Sequence, residues 1–281
     1  MCSVSISLPT YTRREIPLLG RRERVWAIIA TGLRREFKRP AAIVVTVIGA
    51  ALTTITSIVL LLFAFILLPG QPLNLTFFFV PAMNGFILLF VSLMAAVIGS
   101  GLIADDMHSM AFTLYLSRPI SQADYLLAKA AILAPLVSMI TILPLLITPL
   151  VAALLGFFSW TIALQAMGLS VLVGLLLMLF YTSVTLFLSS LTRRRGIAAA
   201  GVFAVNFGLT IPAGILASAI NNPALLYLSP WDDYVSVARA AFGASGNLID
   251  WPWALAILLV STVFAAFLTY IRIKAVEVVS G

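Results

Sequence analysis

The stretch PAAIVVTVIGAALTTITSIVLLLFAFILLPGQP, Pro40 to Pro72, decides the class of the fold. It carries no charge, and its cluster of turn-formers, Pro69-Gly70-Gln71-Pro72, comes only at its end. About 20 predominantly apolar residues take an α-helix across the hydrocarbon core of a bilayer, and the run before Pro69 is longer than that. In lipid the backbone must satisfy its own N–H and C=O groups, so such a run is helical.

The pattern repeats along the chain. Charge is absent from Pro40 to Ala104, from Ala130 to Thr192, from Gly196 to Pro230 and from Trp251 to Ile271. The first two runs are long enough for two helices each and the last two for one each. Pro69 to Pro72 divides the first, and Gly156 to Trp160 the second. Spans are predicted near 41–68, 82–104, 128–155, 164–191, 197–220 and 252–271. Prolines 135, 144 and 149 should bend the third, and Pro212 the fifth. Composition agrees: 62% of residues are hydrophobic and 10% charged, with mean hydropathy +1.12, against roughly half apolar and a quarter charged in soluble domains. The expected fold class is an all-α integral membrane protein with six transmembrane helices and an N-terminal amphipathic interfacial helix.

Charge sets the orientation. The chain has 17 basic residues and a formal net charge of +7. All but Arg239 fall in the N-terminal segment (Arg13 to Arg39), the second loop (Arg118, Lys129), the fourth loop (Arg193, Arg194, Arg195) or the tail (Arg272, Lys274). By the positive-inside rule those regions are cytoplasmic, with both termini inside. The charge is then a topology signal in the plasma membrane, and no nucleic-acid partner is expected. The layout divides the chain into an N-terminal segment (1–39), a transmembrane region (40–271) and a tail (272–281). Within the middle region lie a cytoplasmic segment, 105–127, and an outer one, 221–250.

Met1 to Pro40 lacks the long apolar core of a signal peptide. Arg21 to Arg39 instead reads as a helix with Val25, Trp26, Ile29, Leu33 and Phe37 on one side and basic residues around them. Such a helix lies among membrane lipids at the inner interface.

Several chemistries are excluded. With one cysteine, Cys2, and one histidine, His108, the chain can form neither an internal disulfide nor a Cys- or His-cluster metal site. No G-x-x-x-x-G-K-[ST] occurs, so the chain has no phosphate-cradling loop for ATP. No charge is expected mid-span, where proton-driven transporters carry ionisable groups. Gly243-Ala244-Ser245-Gly246 matches the Gly-x-Ser-Gly of intramembrane serine proteases. Its base could only be His108, on the other side of a bilayer core about 30 Å thick, so that reading fails.

The passage GSGLIADDMHSMAFTLYLSRPISQADYLLAK, Gly99 to Lys129, is more specific. Met107, Met110, Phe112 and Leu114 read as an exposed apolar knob on a short helix from His108 to Leu116. Arg118-Pro119 ends it, because the residue before proline avoids the α region. Ser121 should cap the next helix, with Asp124 in its first turn. This wording, with the acidic pair Asp105-Asp106, the phrase Leu116-Ser117-Arg118-Pro119-Ile120-Ser121 and the following Lys129, resembles the cytoplasmic segment of ABC transporter permeases of the type-2 exporter family. The six-span layout resembles that family too. Two departures stand out: an Asp pair where Glu is more usual, and Met110-Ala111 where Gly-Thr often sits.

The resemblance implies a permease subunit that exports an unidentified substrate. ATP and Mg would be bound and hydrolysed on two copies of a cytoplasmic ABC ATPase, and no cofactor on this chain. A second permease subunit, identical or related, would complete the pathway. The segment docking the ATPase would use Asp105, Asp106, Met107, His108, Met110, Phe112, Leu114, Tyr115, Arg118 and Pro119. Candidate pathway groups are Asn84, Ser92, Asn206 and Thr210, although such groups more often bond helices together. Trp231, Asp232 and Asp233 are candidates for an external gate, in a region resembling the short outer helices of the family. Trp231, Tyr234, Trp251 and Trp253 also fit an aromatic belt at headgroup depth. The competing reading is a non-transporting membrane anchor that recruits a cytoplasmic partner.

Overall fold

A computed structural model describes residues 20–67, 74–109 and 121–280, and the backbone alone at 64, 65 and 275–280. Its helices are α1 (Arg21–Glu36), α2 (Pro40–Leu67), α3 (Gly85–His108), α4 (Gln122–Leu154), α5 (Trp160–Leu191), α6 (Arg195–Ile220), α7 (Pro230–Ala241) and α8 (Trp251–Ser280). Short 3₁₀ turns, Leu75–Phe78 and Pro223–Leu228, and a helical turn, Phe79–Ala82, join them at one end. The helices α2, α3, α4, α5, α6 and α8 contain the six described segments long and apolar enough to cross a membrane.

The helix ends follow local chemistry. Ser121 accepts from the Asp124 N–H at 3.2 Å while Asp124 accepts from the Ser121 N–H at 3.3 Å, the reciprocal cap expected at the start of α4. Ser159 caps α5, accepting from Ile162 N, just after the turn at Gly156, whose φ of +74° favours glycine. Asn221 ends α6 in the left-handed region at φ 55°. Ser229 caps α7, Pro230 fills its first position, and Asp232 and Asp233 follow in its first turn.

Burial ranks the spans. In its apolar window α3 is 78% buried, against 44% for α4 and α5 and 17–22% for α2, α6 and α8. The helix α3 is therefore the axle, in contact with α2, α4, α5 and α6. Its Ile87, Val91, Met94, Ile98 and Ile103 form the core with Leu133, Leu136, Val137 and Ile140 of α4 and Phe180 and Tyr181 of α5. Gly99 lets α3 approach α5 and α4 closely: a Cβ there would stand 3.0 Å from Leu133 Cδ2 and nearer still to Thr185. Outside this core the spans present apolar residues outward, among them Ile55 and Phe63 of α2, Ile215 of α6 and Val260 and Phe264 of α8.

Two helices are irregular. The axle widens into a π-turn at Ala95–Gly99, where Ser100 N reaches back to the Ala95 carbonyl at 2.8 Å. The third span breaks at Ile142, two residues before Pro144, into Gln122–Thr141 and Leu143–Leu154. Pro212, expected to bend the fifth span, lies inside one continuous helix. The third span also starts earlier than predicted, at Gln122 rather than 128, and the second runs on to His108 rather than 104.

Candidate functional site

Among the described residues, one end of the bundle gathers every basic side chain but Arg239, together with Glu23, Glu36, Asp105, Asp106 and Asp124. Asp106, in the last turn of α3, pairs with Lys129 of α4 at 2.6 Å and accepts a hydrogen bond from the Tyr125 hydroxyl at 2.8 Å. The three are 6%, 7% and 0% exposed. Sequence reading put Asp106 in a docking segment and Lys129 at the cytoplasmic opening of the third span; both side chains turn inward. The reason is mutual: neither charge tolerates burial alone, and each supplies the other's partner. Their tie joins α3 to α4 at the roots of the segment that connects them.

A second tie flanks the first. Arg21 of α1 holds Asp124 through Nε at 2.8 Å and Nη2 at 2.9 Å. Glu36, 2% exposed, pairs with Arg39 at 2.9 Å and with Arg35 at 3.5 Å. The helix α1 thus packs on the first half of α4, with Gly32 against Ile132, while Trp26 stays 68% exposed.

The widened turn of the axle is held from outside. Arg195, at the start of α6, donates to the Val97 carbonyl within it. Ser189 of α5 donates to the Ser100 carbonyl at 2.8 Å and accepts from the Ile103 and Ala104 N–H groups at 3.1 and 3.0 Å. One hydroxyl therefore bonds three backbone groups just beyond the wide turn. Sequence reading missed Tyr125, Ser189 and Arg195 as functional positions. The phrase Gly99-Ser100-Gly101 inside a span was the available sign of an irregular helix, and Arg195 was hidden in a run read only as a topology signal.

Of the docking residues, Met107 is half-buried against the core, not an exposed knob, and Asp105 is half-buried near Arg195. His108 is exposed. Met110, Phe112, Leu114, Tyr115, Arg118 and Pro119 lie outside the described residues.

The pathway candidates are engaged within the chain. Asn84 donates to the Thr53 carbonyl at 3.2 Å, Thr56 Oγ1 at 2.6 Å and Ser57 Oγ at 3.1 Å, tying α3 to α2. Asn206 donates to Ser92, tying α6 to α3. Ser229 donates to Thr210 Oγ1 at 3.1 Å, joining α6 to the cap of α7. Asn84, Ser92 and Asn206 are almost fully buried, so the four link helices within this conformation.

The gate candidates share the other end of the bundle. Trp231 is half-buried, its ring 5.2 Å from that of Tyr234. Tyr234 is fully buried, so it does not belong to an exposed belt, whereas Trp251 and Trp253 are 46% and 66% exposed. Asp232 is half-buried and its neighbour Asp233 is fully enclosed. Burial raises the pKa of both carboxyls above the ordinary range.

A bundle of six apolar spans around a buried axle is a multi-pass membrane protein. The chain belongs to the ABC-2 family of transporter proteins: the family model described as ABC-2 family transporter protein matches residues 31–278. A search of curated proteins found no match. The chain is therefore the membrane permease component of an ABC transporter, a family that works with an ABC ATPase subunit and whose permeases are not themselves enzymes.

Proposed function

We propose that this permease is an exporter subunit whose ATP is hydrolysed on a separate cytoplasmic ATPase. Two permease subunits, alike or related, would stand over two ATPase subunits, with the basic end and both termini in the cytoplasm. The observation that carries this reading is the buried Asp106–Lys129–Tyr125 tie beside the connection between α3 and α4. A force applied to that connection reaches both helices together, because the tie forbids them to part.

The mechanism follows. Closure of the ATPases around nucleotide and Mg pushes on segment 105–127, which moves the lower half of the axle and the start of α4. The π-turn at Ala95–Gly99 gives the axle a place to flex above the push. The helix α1 lies at the inner interface, its exposed Trp26 in lipid, and steadies α4 through Arg21 and Asp124. The outer segment 221–250 closes the path on the far side. The substrate would pass between subunits, where α6 and α2 leave apolar residues outward.

The test is co-purification from native membranes in mild detergent. The expected result is an ABC ATPase that stays with the native permease and is lost, with coupled ATP hydrolysis, when Met107 to Tyr115 is replaced. A permease that comes alone, or with a partner that is not an ATPase, would replace this reading with that of a membrane anchor.

A further inference from the structure

At the end of the bundle opposite the Asp106–Lys129 tie, the first turn of α7 holds a carboxyl group with nothing to pair with. Asp233 is 0% exposed, and neither of its carboxylate oxygens has a hydrogen-bond partner among the described residues. The elements packed on α7 are α8, α6, α5, the Pro223–Leu228 turn and the Phe79–Ala82 turn. The titratable groups that these elements, α7 and the loop after it bring near α7 are Asp232, Tyr234, Arg239, Asp250, Tyr227 and, from deeper in α5, Tyr181.

None of them supplies a positive charge to Asp233. Arg239, the one cation among them, lies over the Phe79 ring at 4.7 Å and donates to the Gly246 carbonyl. The Tyr227 hydroxyl accepts from the Asp250 N–H at 3.0 Å. Asp232, the adjacent residue, can only repel a second negative charge. Tyr234 is buried and its hydroxyl is itself unpartnered. Tyr181 lies close enough to Tyr234 for the two phenols to interact electrostatically. A carboxylate in such surroundings becomes neutral by taking up a proton. With no exposed surface, the group is closed to any larger cation while α7 is seated.

We propose that Asp233 is a proton-binding site that links closure of segment 221–250 to pH. The acid keeps its proton while the segment is seated and gives it to water when the segment opens, leaving a hydrated carboxylate. Geometry alone requires the linkage, since the seated position offers an anion neither donor nor cation. Burial first, and Asp232 second, push the carboxyl up to about 8 in the seated state, against an ordinary 3.8.

The sign follows from proton counting. The seated state binds the extra proton between those two values, so opening releases one, and rising pH favours opening. The opening constant should grow by up to about tenfold per pH unit and level off above the seated-state value. The transport consequence rests on the outer segment being the external closure proposed above; the proton linkage does not.

Hydrogen–deuterium exchange of the Pro230–Ala241 amides, on the full chain in nanodiscs, tests the proposal. Exchange at each pH is divided by that of a free peptide of the same sequence, which removes the intrinsic pH dependence. The native chain should lose protection as pH rises and reach a plateau above about 8. Asp233→Leu, close in volume and never charged, should lose most of the dependence and keep only the weaker one that half-buried Asp232 contributes. Asp232→Asn should keep the slope and reach its plateau at lower pH, because one repelling charge is gone. Infrared titration of the native chain should also show a protonated carboxyl band that Asp233→Asn removes. Protection in the native chain that does not vary with pH, an equal slope in Asp233→Leu, or an Asp233 already ionised at neutral pH would each overturn the proposal. If the linkage holds but transport by the assembled complex is indifferent to external pH, the proton site stands and the external-closure reading falls.

Discussion

Replacing Lys129 with methionine is expected to destabilise the chain by about 3–5 kcal/mol, the cost of leaving a buried charge without its partner. Asp106 would remain 6% exposed, with only the Tyr125 hydroxyl to stabilise it. The double variant Asp106→Asn, Lys129→Met removes both charges and keeps an acceptor for Tyr125, so most of the loss should be recovered. Reversible unfolding in mixed micelles measures both variants against the native chain. Equal destabilisation in single and double variants would mean that methionine packing, not the orphaned carboxylate, sets the cost. Coupling gives a second readout. If the tie transmits force from the α3–α4 connection, the double variant should be stable yet show ATP hydrolysis less responsive to the permease.

The second large effect is expected at Ser189. Its hydroxyl holds the Ser100 carbonyl and the Ile103 and Ala104 N–H groups, all inside the core. Ser189→Ala removes three buried hydrogen bonds between α5 and the backbone of the axle. Each such bond contributes about 0.5–1.5 kcal/mol net, so the total should come to about 2–4 kcal/mol. Alanine fits the space, so the loss reports hydrogen bonding and not a clash. The same unfolding measurement checks it, and a cost below about 1 kcal/mol would show that water or a shifted helix replaces the hydroxyl. A variant that unfolds normally but transports poorly would place the role of Ser189 in the motion of the axle.

What was legible in the sequence follows from how far each cause reaches along the chain. The six spans were readable because a charge-free run in lipid has no alternative to helix. The cap at Ser121 and Asp124 and the turn at Gly156 were readable because their causes lie within a few residues. The Asp106–Lys129 tie was not: each charge sits near a helix end, and sequence alone does not tell which way an end residue points when one position turns it by about 100°. Tyr234 was misplaced for the same reason, read into a headgroup belt by its type and turned inward by the face of α7 it occupies. The π-turn left only the phrase Gly99-Ser100-Gly101 as a sign, because its supports, Ser189 and Arg195, come from other helices. Asn84, Ser92 and Asn206 were legible as polar groups inside spans, but only the fold shows that all three are spent on neighbouring helices.

The π-turn in the axle amounts to one surplus residue. A regular helix given an extra residue would rotate everything beyond it by about 100°, carrying Asp106 off Lys129 or Ser92 off Asn206. The wide turn absorbs that rotation, so the two halves keep a common phase while the helix between them stays irregular. Deleting one residue within Ala95–Gly99 should therefore be far better tolerated than deleting one a turn away. It would restore an unbroken helix with both contact faces in register, and the price would be a stiffer rod where the chain now has a joint.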